Sequence, residues 1–223
     1  MDLRRILIFL LCLTMAVPAY GAEQTKYVAL TFDDGPSGRF TRALLDGLEK
    51  RGVKATFLLC GYRLKDYPRE AKRICAGGHE IGLHGYSHKC MADMNQEELE
   101  RELADTLALL PAGCRPAFLR PPGGKCDDVV LDAARQADLA VLRWSVDPKD
   151  WASHDAAAIE KAVIDKVRSG DVILLHDMSD SSVEAALSIV DALTKQGFRF
   201  VTASELARLN GVTIEPGKVY SRF

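Results

Sequence analysis

The chain has 223 residues, with 29 Lys and Arg against 31 Asp and Glu, and a formal net charge of -2. This length suits one domain with a sizeable core, and a hydrophobic share of 48% is ordinary for a soluble globular protein. Charges of both signs are mixed along the chain. That pattern excludes nucleic-acid binding through the phosphates, because such binding requires clustered Lys and Arg.

The first residues have the pattern of a secretion signal. Two arginines precede an apolar run at residues 6–19, which is as long as a signal-peptide core and too short to span a bilayer as a helix. Small residues follow, which allows cleavage after Gly21. We therefore predict a signal peptide over 1–21, a mature domain over 22–223 and a secreted or cell-envelope location. No stable membrane span is expected after cleavage; an uncleaved anchor is the alternative.

Beyond the signal, β-rich runs alternate with amphipathic helical patterns. The predicted strands are 27–32, 55–59, 80–83, 117–120, 140–145, 171–175 and 200–202. The predicted helices are 39–51, 66–76, 95–110, 127–137, 155–167, 181–196 and 204–209. Asn95, followed three residues later by Glu98, is typical of a capping box. This alternation predicts a single α/β domain with a parallel sheet, either an irregular barrel or an open doubly wound sheet.

The cysteines of the predicted mature chain are odd in number. In an oxidising compartment they could form disulfides, and because their number is odd at least one stays free or pairs between chains. The alternative is that most of them are small buried residues. Their spacing matches no zinc finger and fixes no connectivity. They are Cys60, Cys75, Cys90, Cys114 and Cys126.

Several side chains that can bind a metal, transfer a proton or contact a substrate follow the strands at their carboxyl ends. In parallel α/β folds the active site forms at that edge, where the strand-to-helix loops converge. The residues are Asp33 and Asp34 after the first strand, His84 and His88 after the third, Arg120 at the end of the fourth, Asp147, Asp150 and Trp151 after the fifth, and His176 and Asp177 after the sixth. The sequence therefore predicts an active site at this edge of the sheet.

The H-x-x-x-H spacing of His84 and His88 suggests a metal site. On a helical turn this spacing would place both imidazoles on one face, although the pattern alone often occurs without a metal. Asp34 supplies a carboxylate, and the neighbouring Asp33 repels it unless a cation or a proton settles the charge. Two histidines and one carboxylate leave coordination positions for water and substrate. We take His79 and His154 as structural or exposed.

With these residues assembled, the chain resembles the polysaccharide deacetylases of carbohydrate esterase family 4, the NodB-homology domain, over residues 27–209. Five motifs occur in the family's order: T-F-D-D-G-P at 31–36, H-G-Y-S-H at 84–88, R-P-P-G at 120–123, D-P-K-D-W at 147–151 and L-L-H-D at 174–177. The resemblance implies a distorted (β/α)7 barrel and one divalent metal. Zinc is the first choice, and Co²⁺, Mn²⁺ or Ni²⁺ suit the same ligands.

The resemblance also implies the catalytic roles. Asp33 would be the general base that activates the attacking water, and Arg120 would pair with it and adjust its basicity. His176 would be the general acid that protonates the leaving amine, and Asp150 would orient it and keep it charged. The metal ligands would be Asp34, His84 and His88.

Three further residues would contact the substrate. Leu174 and Trp151 would line the slot for the acetyl methyl group, and the backbone N–H of Gly123 would stabilise the oxyanion. Many family members carry an aromatic residue, usually Tyr, where this chain has Gly123. Glycine keeps the N–H but loses a side chain at the cleft, which puts the nearby substrate contacts in doubt.

The expected function is removal of acetyl groups from the N-acetylated sugars of a polysaccharide, with peptidoglycan first and chitin oligomers next. The nearest alternative is an O-deacetylase such as an acetyl xylan esterase. An alternative of another class is a catalytically silent glycan-binding protein. A metal-independent α/β hydrolase would require a G-x-S-x-G motif, which the sequence lacks. We expect a monomer whose partner is a polysaccharide or oligosaccharide.

Overall fold

A computed structural model describes residues 25–223, so the predicted signal peptide lies outside the described residues. In this part of the chain every paired strand runs parallel to its neighbours. The strands are β1 (Lys26–Asp33), β2 (Thr56–Leu59), β3 (Glu80–Leu83), β4 (Phe118–Leu119), β5 (Ala140–Leu142), β6 (Val172–His176), β7 (Phe198–Val201) and β8 (Val219–Tyr220).

Helices connect these strands in the predicted alternation. They are α1 (Arg39–Lys50), α2 (Gly61–Asp66), α3 (Pro68–Ala76), α4 (Gln96–Leu107), α5 (Asp128–Gln136), α6 (Ala156–Ile164), α7 (Asp180–Lys195) and α8 (Ala203–Leu209). Short 3-10 turns lie at Met91–Asp93 and Pro122–Gly124. Asn95 and Glu98 form the predicted capping box at the start of α4. None of the helices at residues 25–223 is long and apolar enough to cross a membrane.

Strand β1 pairs with three other strands. It pairs with β2 on one side, and along its other side first with β7 and then with β6. The remaining order is β2-β3-β4-β5-β8, so the sheet curls round. The prediction of a single α/β domain with a distorted barrel is confirmed.

The sequence of β1 is a nearly continuous apolar run because this strand lies in the core. Its residues from Val28 to Asp33 are all buried, as expected for a parallel strand covered on both faces. Helix α1 packs its buried Leu44, Leu45 and Leu48 into the same core as β1 and α7. Each such leucine stabilises the fold by roughly 1.5–3 kcal/mol through removal of apolar surface from water.

Two elements differ from the prediction. The helix predicted over 66–76 is α3, which begins at Pro68, whereas the preceding helix α2 was not predicted. The two helices are separated at Tyr67 (φ -127°, ψ 53°), because the residue before a proline is disfavoured in helical geometry. Strand β8 was not predicted, because two residues show no alternation. It lies beside β5, and Phe223 next to it donates a hydrogen bond to Gly170, so the end of the chain covers the gap between β5 and β6.

A disulfide joins Cys75 of α3 to Cys114, in the segment after α4. Among residues 25–223, Cys60, Cys90 and Cys126 are free thiols. The pairing spans 39 residues of chain. A cross-link of that span restricts the unfolded chain and stabilises the native state by about 4 kcal/mol on the chain-entropy estimate.

Replacing both Cys75 and Cys114 by serine is expected to lower the free energy of unfolding by roughly 2–4 kcal/mol. Urea denaturation followed by circular dichroism measures the change. Cys126→Ser is the matched control, because it removes a thiol that forms no disulfide in the described chain. An unchanged denaturation midpoint in the double variant would contradict the stabilising role of the bridge.

Candidate active site

The three predicted metal ligands lie together at the carboxyl ends of β1 and β3. Asp34 follows β1 directly, His84 follows β3 directly, and His88 ends the loop after His84. Nε2 of His84 is 3.2 Å, and Nε2 of His88 2.9 Å, from Oδ1 of Asp34. One ligand atom from each residue lies within 4.8 Å of the others. His84 is almost fully buried, whereas His88 is 43% exposed, so the group faces solvent on one side.

The segment that joins the two histidines is not a helical turn. Gly85 and His88 both have positive φ angles, 77° and 59°, and residues 84–88 form a bend. The imidazoles meet because the chain reverses, not because they share a helix face. Oε2 of Glu102 in α4 accepts hydrogen bonds from the N–H groups of Tyr86 and Ser87. Nothing in the sequence pattern pointed to Glu102.

The donor set suits a divalent cation. Nδ1 of His84 lies 2.6 Å from the carbonyl oxygen of Arg120, which can only accept, so Nδ1 carries a proton and Nε2 is the nitrogen that lies toward Asp34. Oδ1 of Asp34 is buried, and its contacts lack hydrogen-bond geometry. Burial opposes ionisation of Asp34, but its contacts with His84 and His88 outweigh this and hold its pKa well below the ordinary value.

Arg120 is fully buried and holds Asp33 in place. Nη1 of Arg120 lies 2.6 Å from Oδ1 of Asp33 and also donates to Thr31, and its other nitrogens donate to the carbonyls of Leu142 and Arg143. A buried guanidinium is tolerated only when its donors are satisfied, as they are here. The geometry therefore provides the predicted pairing of Arg120 with Asp33.

His176 forms the second ion pair of the site, with Asp150. Its Nδ1 is 2.8 Å from Oδ1 of Asp150, and its backbone N–H donates to Oδ2 at 2.8 Å. Burial lowers the pKa of His176, but the hydrogen bond to Asp150 and the nearby negative charges outweigh it and raise the pKa to about 9. Asp33 and His176 are register partners on β1 and β6, so the two predicted proton-transfer groups are neighbours.

A cavity of about 190 Å³ connects the two parts of the site. Its lining includes the predicted residues Asp34, Asp150, Trp151 and His176. Trp151 is 64% exposed and presents a large apolar surface to solvent. The remaining lining residues follow the fifth and sixth strands without a recognisable motif. Met178, Ser179 and Ser182 were not predicted, and His154 is exposed, as expected.

The other two predicted substrate contacts do not line this cavity. Leu174 lies in β6 and is only 4% exposed. Gly123 is exposed in the turn after β4, and its φ of 67° favours glycine, although a Cβ would meet no atom within 4 Å. His79 has structural contacts. It accepts a hydrogen bond from Ala55 N–H and packs edge-on against Phe57, as expected for a structural histidine.

Asp177 supports the turn that carries the two aspartates. It is fully buried, its Oδ2 accepts a hydrogen bond from Thr41, and its carbonyl accepts one from Ser37. Burial raises the pKa of Asp177 to about 7. A Cβ on Gly35 would lie 2.5 Å from Oδ1 of Asp177, so this close contact requires glycine.

A parallel α/β barrel has the layout of a hydrolytic enzyme when a group of residues that could hold a cation and a hydrogen-bonded His–Asp pair lie at the same strand ends. Comparison with known proteins also indicates a hydrolytic enzyme. The sequence model of the polysaccharide deacetylase family matches residues 20–142. The peptidoglycan-N-acetylglucosamine deacetylase of Bacillus cereus is 38% identical over 189 residues, which cover 82% of this chain and 89% of that protein.

Two further proteins, with other substrates in their names, are also similar to this chain. The chitooligosaccharide deacetylase of Sinorhizobium fredii is 36% identical over 77% of this chain and 87% of its own length. The structure of a family 4 acetyl xylan esterase from Clostridium thermocellum, in complex with a cobalt ion, has a TM-score of 0.83 and 37% identity, covering 88% of this chain and 98% of that one. The chain belongs to the polysaccharide deacetylase family and is a deacetylase hydrolase.

The hydrogen bond between His176 and Asp150 predicts that replacing Asp150 changes the pKa of His176. In the metal-free Asp150→Asn variant, the pKa of His176 should fall by roughly 1–3 units, because burial then acts without an opposing carboxylate. NMR titration of the imidazole resonances measures the shift. Asp147→Asn is the control, since Asp147 accepts from the Lys149 N–H in the same loop. Equal titration of His176 in both variants would contradict the assignment.

Proposed function

We propose that this chain is a metal-dependent N-deacetylase of peptidoglycan, with Asp34, His84 and His88 as metal ligands and Zn²⁺ as the first-choice ion. One observation carries the proposal: Asp34 of the cation-binding group and His176 of the acid–base pair line the same cavity. Co²⁺, Mn²⁺ and Ni²⁺ suit the same donors. A cobalt ion accompanies the similar acetyl xylan esterase. When bound, such an ion supplies a Lewis acid that polarises a carbonyl and lowers the pKa of water.

Asp33 acts as the general base. Its Oδ1 is occupied by Arg120, while Oδ2 lies 3.8 Å from Nε2 of His84, beside the cation-binding group. Oδ2 is therefore the oxygen placed to accept a proton from the water that attacks the acetyl carbonyl. Arg120 keeps this carboxylate in a fixed orientation, because hydrogen bonds from all three of its guanidinium nitrogens hold the side chain in place.

His176 acts as the general acid. Because Asp150 occupies Nδ1, Nε2 is the nitrogen that donates its proton to the amine as the C–N bond breaks and acetate leaves. The raised pKa keeps His176 protonated at neutral pH, as a proton donor requires. The N–H of Gly123 donates to the developing oxyanion, and Trp151, which lines the cavity, contacts the acetyl methyl group; Leu174 is buried outside the cavity lining.

Peptidoglycan is the first substrate because the similar Bacillus cereus enzyme acts on its N-acetylglucosamine. Chitin oligomers come second, by similarity to the Sinorhizobium fredii enzyme. An exposed tryptophan beside a narrow cavity suits a sugar chain, whose apolar faces stack on an indole. The secretion pattern of residues 1–21 and the Cys75–Cys114 disulfide support a location in the cell envelope or outside the cell, where such bonds persist. We also propose that the enzyme acts as a monomer.

The roles of the two adjacent aspartates can be separated. Asp33→Asn should keep its metal but lose turnover by roughly 10²–10⁴-fold, the usual contribution of a general base. Asp34→Ala should lose the metal. Metal content after dialysis and acetate release from peptidoglycan measure both, and a chelator should abolish wild-type activity until Zn²⁺ is restored. Full activity of chelated Asp34→Ala would overturn the metal mechanism, and normal turnover of Asp33→Asn would remove Asp33 as the base.

A substrate panel distinguishes amide from ester hydrolysis. We expect acetate release from peptidoglycan and chitooligosaccharides to exceed release from acetylated xylan. His176→Ala should reduce amide hydrolysis more than ester hydrolysis, because an amine is the poorer leaving group and depends more on the acid. Faster release from xylan would support the O-deacetylase alternative. Glycan binding without release from any substrate would support the silent glycan-binding protein.

A further inference from the structure

The loop between the two histidine ligands obtains its support from neighbouring helices. The carbonyl oxygens of Gly85 and Tyr86 accept hydrogen bonds from the N–H groups of Gly61 and Tyr62, at 2.9 and 3.1 Å. These donors belong to the first turn of α2, whose N–H groups lack intrahelical partners. Only glycine fits at position 61, because the Cβ of any other residue would lie 2.3 Å from the Tyr86 ring. One edge of the loop is thus fixed through its carbonyl groups.

Glu102 fixes the same loop through its N–H groups. Oε2 of Glu102 accepts from Tyr86 at 2.6 Å and from Ser87 at 2.9 Å. Leu99 and Leu103 of α4 are buried, so Glu102 lies at the edge of the helix face that packs inward. A carboxylate that accepts from backbone N–H groups makes roughly twice as strong a hydrogen bond as a neutral acceptor. The loop therefore depends on one charged oxygen for two of its amides.

We propose that Glu102 is a positioning residue of the metal site, which holds the 84–88 loop so that His84 and His88 face Asp34 at one point. The inference rests on the proposed function, in which these three residues bind the cation. His84 has a second support, its hydrogen bond to the Arg120 carbonyl. His88 is half exposed and follows directly after the Glu102-bound amides, so its position depends most on Glu102.

Glu102 acts on the loop rather than on the stability of α4. The start of α4 is secured by the capping box of Asn95 and Glu98, and its packing by Leu99 and Leu103. Glu102 also lines a cavity of about 530 Å³ together with Asp105, another acidic residue of the same helix. Asp105 is exposed and three residues further on. It therefore offers a control with the same loss of charge near the same cavity.

The experiment compares Glu102→Met, Glu102→Gln and Asp105→Asn in the otherwise unchanged chain. Isothermal titration of each metal-free protein with Zn²⁺ measures affinity, and the visible absorption bands of the Co²⁺-loaded protein report ligand geometry. Glu102→Met should weaken Zn²⁺ binding roughly 10- to 100-fold, the usual effect of losing a group that orients metal ligands. It should also alter the Co²⁺ bands. Glu102→Gln keeps an acceptor and should recover part of the loss, and Asp105→Asn should match the wild type.

Wild-type affinity and bands in Glu102→Met would overturn the proposal. If that variant does not fold, Glu102→Gln decides alone: weaker Zn²⁺ binding than Asp105→Asn supports the positioning role, and equal binding rejects it. Equal weakening in Glu102→Met and Asp105→Asn would also reject it, in favour of a general effect of charge. Failure of the wild-type protein to bind Zn²⁺ or Co²⁺ would instead contradict the proposed function.

Discussion

The buried guanidinium of Arg120 is the interaction on which the site depends. Its side chain joins three strands, because it donates to Thr31 and Asp33 at the end of β1 and to the carbonyls of Leu142 and Arg143 at the end of β5. Its own carbonyl accepts from Nδ1 of His84. One residue therefore orients the predicted base through its side chain and a predicted ligand through its backbone. A change at Arg120 would leave buried acceptors unpaired at several points, which is costly.

The position of β1 in the sheet makes this convergence possible. Because the carboxyl half of β1 pairs with β2 on one side and β6 on the other, the end of β1 lies between two neighbouring strand ends. Parallel register then places Asp33 beside His176, and Leu83 of β3 beside Leu119 of β4, so that His84 and Arg120 follow as neighbours. Much of the site is a consequence of the ladder. Each of Asp33, Asp34, His84, Arg120 and His176 is the last residue of its strand or the next one, whereas His88 and Asp150 lie in the loops that follow.

This dependence explains how much could be predicted from sequence. Alternating strands and helices predict the parallel sheet, and residues at strand ends converge in any such sheet, so the Asp34, His84 and His88 group could be anticipated. The conformation of the 84–88 loop could not. Spacing alone does not distinguish a helical turn from a bend, and the bend depends on Glu102, which is distant in sequence. The break at Tyr67 was readable from Pro68, whereas β8 depends on tertiary contacts of the chain end.

The two proton-handling groups are placed in opposite electrostatic surroundings. The carboxylate of Asp33 faces the fixed positive charge of Arg120, and the imidazole of His176 faces the carboxylate of Asp150. The carboxylate of Asp150 favours the charged form of His176, and the hydrogen bond from Arg120 fixes the orientation of Asp33. Both contacts suit the proposed roles of His176 as proton donor and Asp33 as proton acceptor. Because Asp33 and His176 are adjacent in register, a direct ion pair between them would leave both idle. Their separate partners occupy Oδ1 of Asp33 and Nδ1 of His176, so in the proposed mechanism Oδ2 of Asp33 and Nε2 of His176 are the atoms that exchange protons.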